Sequence, residues 1–167
     1  MTSQLPQRKH LKRIPVWIPD DQPVIYFVTV CCYNRKTIFN RPESIKVALL
    51  SLVRIAGDMK WGVKYICFMP DHVHLFISPL ERRDQRLAVL IQRWKSSVQQ
   101  QMAHRGFNDQ VWHKEFFDHL LRSGESLEEK WNYVRLNPVR AGLCKENDEY
   151  PYCGSMAEIL SRLDSTL

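Results

Sequence analysis

Apolar residues along this chain fall into two spacings, one of period two and one of helical period, and their order predicts a β-α-β-β-α-β plan. Val24 to Cys32 is a continuous β-branched and aromatic run, apolar on both alternations, as expected of a central strand buried on both faces. Asn34-Arg35-Lys36 closes it. From Ser44 to Met59, the residues Ile45, Leu49, Leu52, Val53 and Ala56 recur at helical spacing, with Pro42 ahead and Ser44 as a cap. Trp61 to Met69 and His72 to Ser78 read as two strands joined through the turn formers Pro70-Asp71. Leu87, Leu90, Ile91, Trp94 and Val98 predict a second helix from Arg86 to His104, stopped by Gly106. A short aromatic strand from Val111 to Phe117 would complete the plan. The fold class expected is α+β, a ferredoxin-like sandwich with an antiparallel sheet and a further C-terminal helix.

That further helix has its own opening signal. Ser126-Leu127-Glu128-Glu129 matches a capping box, in which Ser and Glu satisfy orphan backbone donors. Leu127, Trp131, Val134 and Pro138 form its packing stripe, while Tyr133 and Asn137, four apart, share a neighbouring face. Pro138 sets an end or a kink, and Gly142 lies just beyond.

Three segments are expected: an extended basic arm over 1–23 broken by Pro6, Pro15, Pro19 and Pro23, a catalytic domain over 24–143, and a C-terminal tail over 144–167. The length of 167 residues needs no second core. The net charge of +6 is uneven. Arg8, Lys9, Lys12 and Arg13 stand in a front without an acid, which favours a polyanionic partner over a neutral one. Five cysteines with no C-x-x-C pair indicate neither a disulfide framework nor a zinc ribbon, and fit a reducing compartment. No apolar run approaches the roughly 20 residues that cross a bilayer. A cytoplasmic protein with no membrane partner is the expectation.

The chemistry centres on Met69-Pro70-Asp71-His72-Val73-His74. On a strand, alternate side chains share a face, so His72 and His74 project together and make half of a metal site. Asn137 can add an amide oxygen, and Tyr133, one helical turn earlier, can point at the same phosphate as a nucleophile. Cleaving a phosphodiester through tyrosine conserves the bond's energy in a phosphotyrosine, so that strands can be rejoined without a nucleotide cofactor.

His72-Val73-His74 after Met69-Pro70-Asp71, the segment Phe117-Asp118-His119-Leu120-Leu121-Arg122, and Tyr133-Val134-Arg135-Leu136-Asn137-Pro138-Val139-Arg140-Ala141-Gly142-Leu143 resemble the single-tyrosine HUH transposases with an IS200-like domain, and within them the REP-associated tyrosine transposases of bacteria. The resemblance spans roughly residues 8 to 153. It implies an enzyme that binds a hairpin from a repetitive palindrome, cuts single-stranded DNA beside it and becomes linked to the 5′ phosphate. It implies Tyr133 as nucleophile, His72 and His74 as metal ligands, and Mg²⁺ or Mn²⁺ as the divalent metal. Asn137 stands where related enzymes carry glutamine as the third ligand, one methylene longer. His119 is a candidate for orienting phosphate or water. Arg122, Arg135 and Arg140 are candidates for phosphate contacts beside the basic arm. Single-tyrosine insertion-sequence enzymes often act as dimers whereas the REP-associated branch includes monomers, so the resemblance implies a monomer or a homodimer, and in bacteria such a protein associates with the nucleoid when bound to DNA. Two other functions compete: a noncatalytic hairpin-binding regulator, and a zinc hydrolase on the same H-x-H, against which the absence of a third histidine or glutamate at recognisable spacing counts.

Overall fold

The computed structural model describes residues 23–81, 86–121, 126–146 and 150–165. Strands β1 (Ile25–Cys31), β2 (Trp61–Met69), β3 (His72–Pro79), β4 (Phe117–Leu121) and β5 (Cys153–Gly154) form one antiparallel sheet in the order β4-β1-β3-β2-β5. Helices α1 (Pro42–Asp58), α2 (Leu87–His104) and α5 (Met156–Asp164) cover one face. The first four strands with α1 and α2 make the expected ferredoxin-like arrangement.

Period-two alternation decides which residues meet the helices. Val28 and Val30 of β1, Ile66 and Phe68 of β2, and Val73, Leu75 and Ile77 of β3 turn to Leu49, Leu52, Leu90 and Trp94. Each such fully buried side chain contributes about 1.5–3 kcal/mol. Trp94 satisfies its indole by donating to Ala48 O over 2.8 Å. In β2 the alternation slips once, because the register breaks between Val63 and Tyr65 and Lys64 is the extra residue of a bulge. Tyr65, Cys67 and Met69 therefore face the opposite side, where Phe76, Leu121, Val134 and Tyr150 form a second apolar cluster.

Two expectations are corrected. The fourth strand is Phe117–Leu121, not Val111–Phe117. Val111 and Trp112 are buried against the helical core, and Trp112 makes an isolated bridge to Cys32, just past the end of β1. Their apolarity serves packing under α2. Lys95 Nζ fastens the segment by donating to the carbonyls of His113, Lys114 and Glu115 at 2.8, 3.1 and 3.2 Å. Nor are residues 144–167 wholly a tail. Cys153 and Gly154 pair with β2, and Ile159 and Leu163 of α5 enter the core. A full capping box opens α5, with Ser155 Oγ accepting from Glu158 N–H and Glu158 Oε2 accepting from Ser155 N–H at 2.7 Å.

Candidate active site

The β2–β3 turn sets the site. Cys32 N–H donates to Asp71 O and Phe39 N–H to Pro70 O, both over 2.9 Å, so the turn is fastened to the loop after β1. β3 starts at once. With Val73 and Leu75 taken by the helical core, His72 and His74 both project from the other face. Their Nε2 atoms stand 3.1 Å apart with the rings at 82°.

Each ring is held from behind. Asp71 Oδ1 lies 2.7 Å from His72 Nδ1, and Asp71 Oδ2 pairs with Arg35 Nε at 2.8 Å. Donation of Nδ1–H to the carboxylate leaves a lone pair on His72 Nε2. Arg35 reaches this position from a short turn in which Asn34 and Arg35 have φ of 50° and 56°, a left-handed pair of non-glycine residues next to the site. His74 Nδ1 lies 2.9 Å from Thr29 Oγ1, and the Phe27 ring stacks on the imidazole at 5.3 Å and 24°. Burial, with the neighbouring His72 and Arg35 adding to it, pushes the His74 pKa down to about 3, so the ring is neutral at physiological pH.

The helix carrying the tyrosine, α3 (Leu127–Arg135), begins after Ser126 as expected, with Glu129 N–H donating to Ser126 Oγ over 3.2 Å, the serine half of the expected capping box. Val134 is buried, and Trp131 stacks on Tyr65 at 4.4 Å and 5° and meets Phe76 edge-on at 5.9 Å. Pro138 has no N–H to continue the ladder. The helix breaks at Leu136 and resumes as the single turn α4 (Asn137–Arg140). Tyr133 and Asn137, expected on one helix, thus stand on two pieces. Tyr133 is 61% exposed, and Asn137 Nδ2 lies 3.2 Å from His74 Nε2.

The structure therefore brings His72, His74 and Asn137 together, with Tyr133 four residues from the amide. As placed, the amide presents nitrogen to the imidazole and its Oδ1 accepts from Arg140 Nη1 over 2.8 Å. The same guanidinium donates to Tyr133 O over 3.0 Å and covers the Tyr133 ring at 4.2 Å. Arg140, expected to meet phosphate, is engaged with the site's own residues. Arg135 is exposed at the end of α3, and His119 is exposed on β4 opposite Phe27. Arg8, Lys9, Lys12, Arg13 and Arg122 lie outside the described residues.

The donor set fits a divalent cation. His72 Nε2 and the Asn137 amide lie 3.1 and 3.2 Å from His74 Nε2, so two imidazole nitrogens and an amide converge on one point. Two atoms bound at right angles to one ion at about 2.1 Å would be about 3 Å apart. Among the described residues there is no group of three His, Cys, Asp or Glu that could hold a metal, and the Asn137 amide is the further group beside the histidine pair. Asp71, Thr29, Phe27 and Arg35 were not singled out from the sequence as site residues. Asp71 reads as a turn former and Thr29 as strand core until the pairing Cys31–His72 and Thr29–His74 is known.

The sequence and the architecture are similar to those of known proteins. A solved REP-associated tyrosine transposase bound to a REP hairpin superposes with a TM-score of 0.66 at 16% identity, covering 86% of this chain and 82% of that one. A REP-associated tyrosine transposase of Escherichia coli is 22% identical over 127 residues, 76% of this chain and 73% of its own. A Haemophilus influenzae protein named "Putative REP-associated tyrosine transposase" is 30% identical over 97 residues, 52% of this chain, and the match spans only 54% of that relative's length. No described helix is long and apolar enough to cross a membrane. Residues 22–134 match the model of the family described as Transposase IS200 like, and the chain belongs to that family.

Proposed function

We propose that this chain is a tyrosine transposase that cuts single-stranded DNA beside a hairpin and rejoins it through a 5′-phosphotyrosine on Tyr133. The observation that carries this reading is the convergence of His72 Nε2 and the Asn137 amide on His74 Nε2, at 3.1 and 3.2 Å, near a tyrosine exposed to solvent. The histidines, with the Asn137 amide turned to present oxygen, would hold Mg²⁺ or Mn²⁺. Such an ion polarises the phosphate and stabilises the charge that develops on its oxygens.

The rest is done by the chain. Asp71 and Thr29 hold the imidazoles with lone pairs forward. Tyr133 gives up its phenolic proton to water, and its oxygen forms a bond to phosphorus as the bond to the 3′ oxygen breaks; the 3′ oxygen takes up a proton from water and leaves as a free 3′ hydroxyl. Attack by a 3′ hydroxyl on the phosphotyrosine reverses these changes and restores the phenol. Arg135 and the basic arm of Arg8, Lys9, Lys12 and Arg13 would meet backbone phosphates, with Arg122 beside them. His119 remains the candidate for orienting phosphate or water. The hairpin partner comes from the likeness to the hairpin-bound relative.

Tyr150 is no substitute nucleophile. Its hydroxyl donates to Phe68 O over 2.6 Å within the core, and burial pushes its pKa up. Tyr133→Phe keeps the ring under Arg140 and removes the attacking oxygen. Incubated with labelled hairpin DNA bearing single-stranded flanks and Mn²⁺, then denatured, the parent should show a labelled protein band and Tyr133→Phe none, with hairpin binding retained. An adduct persisting in the variant rejects Tyr133, and cleavage without an adduct in the parent favours water as nucleophile.

A further inference from the structure

The start of α1 and the end of α2 border a cavity of about 770 Å³ that contains none of the residues of the candidate active site. Its size lies within the roughly 300–1,000 Å³ of small-molecule sites. The loop after β1 serves both places: Arg35 holds Asp71 behind His72, while Lys36, Ile38 and Asn40 line the cavity.

The wall made by α1 is rich in donors. The helix opens at Arg41 without a side-chain cap and Pro42 has no N–H, so its first turn leaves the N–H groups of Glu43 and Ser44 over. Ser44 lines the cavity and is only 6% exposed, and its hydroxyl has no hydrogen-bond partner among the described residues. Among those residues the sealed side-chain atoms without a partner are Trp61 Nε1 and Trp112 Nε1, so the Ser44 oxygen is not sealed and opens onto the cavity. The α2 wall is closed to a cation, because Arg105 Nη1, Phe107 N–H and Gly106 N–H already occupy the carbonyls of Gln101, Met102 and Ala103 over 3.0, 3.0 and 2.9 Å. Three cations, Lys36, Arg41 and Arg105, face one exposed carboxylate, Glu43. Lys36 is paired with Asp109 at 2.7 Å, whereas the Arg41 side chain has no partner among the described residues.

A nearly buried hydroxyl without an acceptor, set beside leftover amides and an unpaired guanidinium, is complementary to an anion with several oxygens. We propose that the cavity binds a nucleoside phosphate, free or as one unit of a DNA strand. Its phosphate accepts from Ser44 Oγ and the first-turn amides under the charge of Arg41, and its nucleoside lies on the apolar Ile38, Met102 and Phe107. The inference goes beyond the cutting reaction and does not depend on it.

The test follows the Glu43 and Ser44 amides by NMR in the isotope-labelled full chain carrying Tyr133→Phe, titrated with inorganic phosphate, deoxyadenosine 5′-monophosphate or a short single-stranded oligonucleotide. Both amides should shift, and the nucleotide should bind more tightly than inorganic phosphate, since only the nucleotide reaches the apolar residues. Ser44→Ala, which removes a single oxygen, should weaken nucleotide binding about tenfold, and the surface change Arg41→Gln about three- to tenfold. Glu43→Gln should tighten it, and Arg93→Gln, an exposed arginine outside the cavity, should leave it unchanged. Displacement of the nucleotide by the oligonucleotide identifies a DNA strand as the source of the phosphate, and a nucleotide that is not displaced identifies the free form. Amides that stay unmoved, inorganic phosphate binding as tightly as the nucleotide, or an equal loss in Arg93→Gln and Arg41→Gln overturns the site.

Discussion

Arg140 holds the amide of Asn137 by its oxygen, with Nη1 donating to Oδ1 over 2.8 Å, and so keeps the nitrogen turned to the histidines. To serve as a metal ligand the amide has to rotate, which gives up that bond and points an N–H at the guanidinium. Arg140→Ala should therefore tighten Mn²⁺ binding by about three- to tenfold, the net scale of one ordinary hydrogen bond, since the exposed guanidinium keeps most of its solvation. Adding Asn137→Ala should remove the gain. Titration of Mn²⁺ followed by paramagnetic resonance checks this, and weaker binding by Arg140→Ala would show that the arginine supports the ligand set.

Asp71 acts on the site from behind His72. Losing the carboxylate frees the ring to turn and removes the acceptor that keeps the proton on Nδ1. Asp71→Ala should lower Mn²⁺ affinity about 10- to 100-fold. Its thermal midpoint should fall only slightly, because Asp71 and Arg35 are joined at the surface. Calorimetric titration beside a melting curve separates the two effects.

Trp131 is the anchor of the tyrosine helix, through its stack on Tyr65 and its edge contact with Phe76. Trp131→Ala should cost about 2–4 kcal/mol by denaturant unfolding. Adduct formation should fall even under conditions where the rest of the chain stays folded. Trp131→Phe should recover most of both.

Glu158 gives a pH signature. The Ser155 backbone N–H and hydroxyl hold its carboxyl below the usual carboxylate range. A depressed folded pKa contributes stability above the unfolded value of about 4.3, and this is lost as pH falls through the lower folded value. The urea midpoints of the parent and Glu158→Gln should therefore differ most near neutral pH and converge on acidification. A gap that widens in acid would remove the cap from the account of α5.

The histidine pair was legible because strand period two puts His72 and His74 on one face wherever β3 lies in the sheet. The helix start at Ser126 was equally local. Phe117-Asp118-His119 was misread because an edge strand with three exposed residues in succession shows no alternation, while buried Val111 and Trp112 imitate one. Ser155 and Glu158 spelled out a capping box that the acidic composition of the segment masked. Asp71, Thr29 and Phe27 are different in kind. Their roles depend on the register between β1 and β3, which no window of sequence contains.

At nine residues, α3 is shorter than the roughly 12–15 at which an isolated helix becomes marginally stable in water. Its order is borrowed from Trp131 and Val134 seated on the sheet. Tyr133 therefore has little freedom to swing out on an intact helical arm: leaving the sheet means melting. Presentation of the proposed nucleophile becomes a local unfolding equilibrium, and the amides of α3 should exchange with solvent as one block, well ahead of those in β1 and β3.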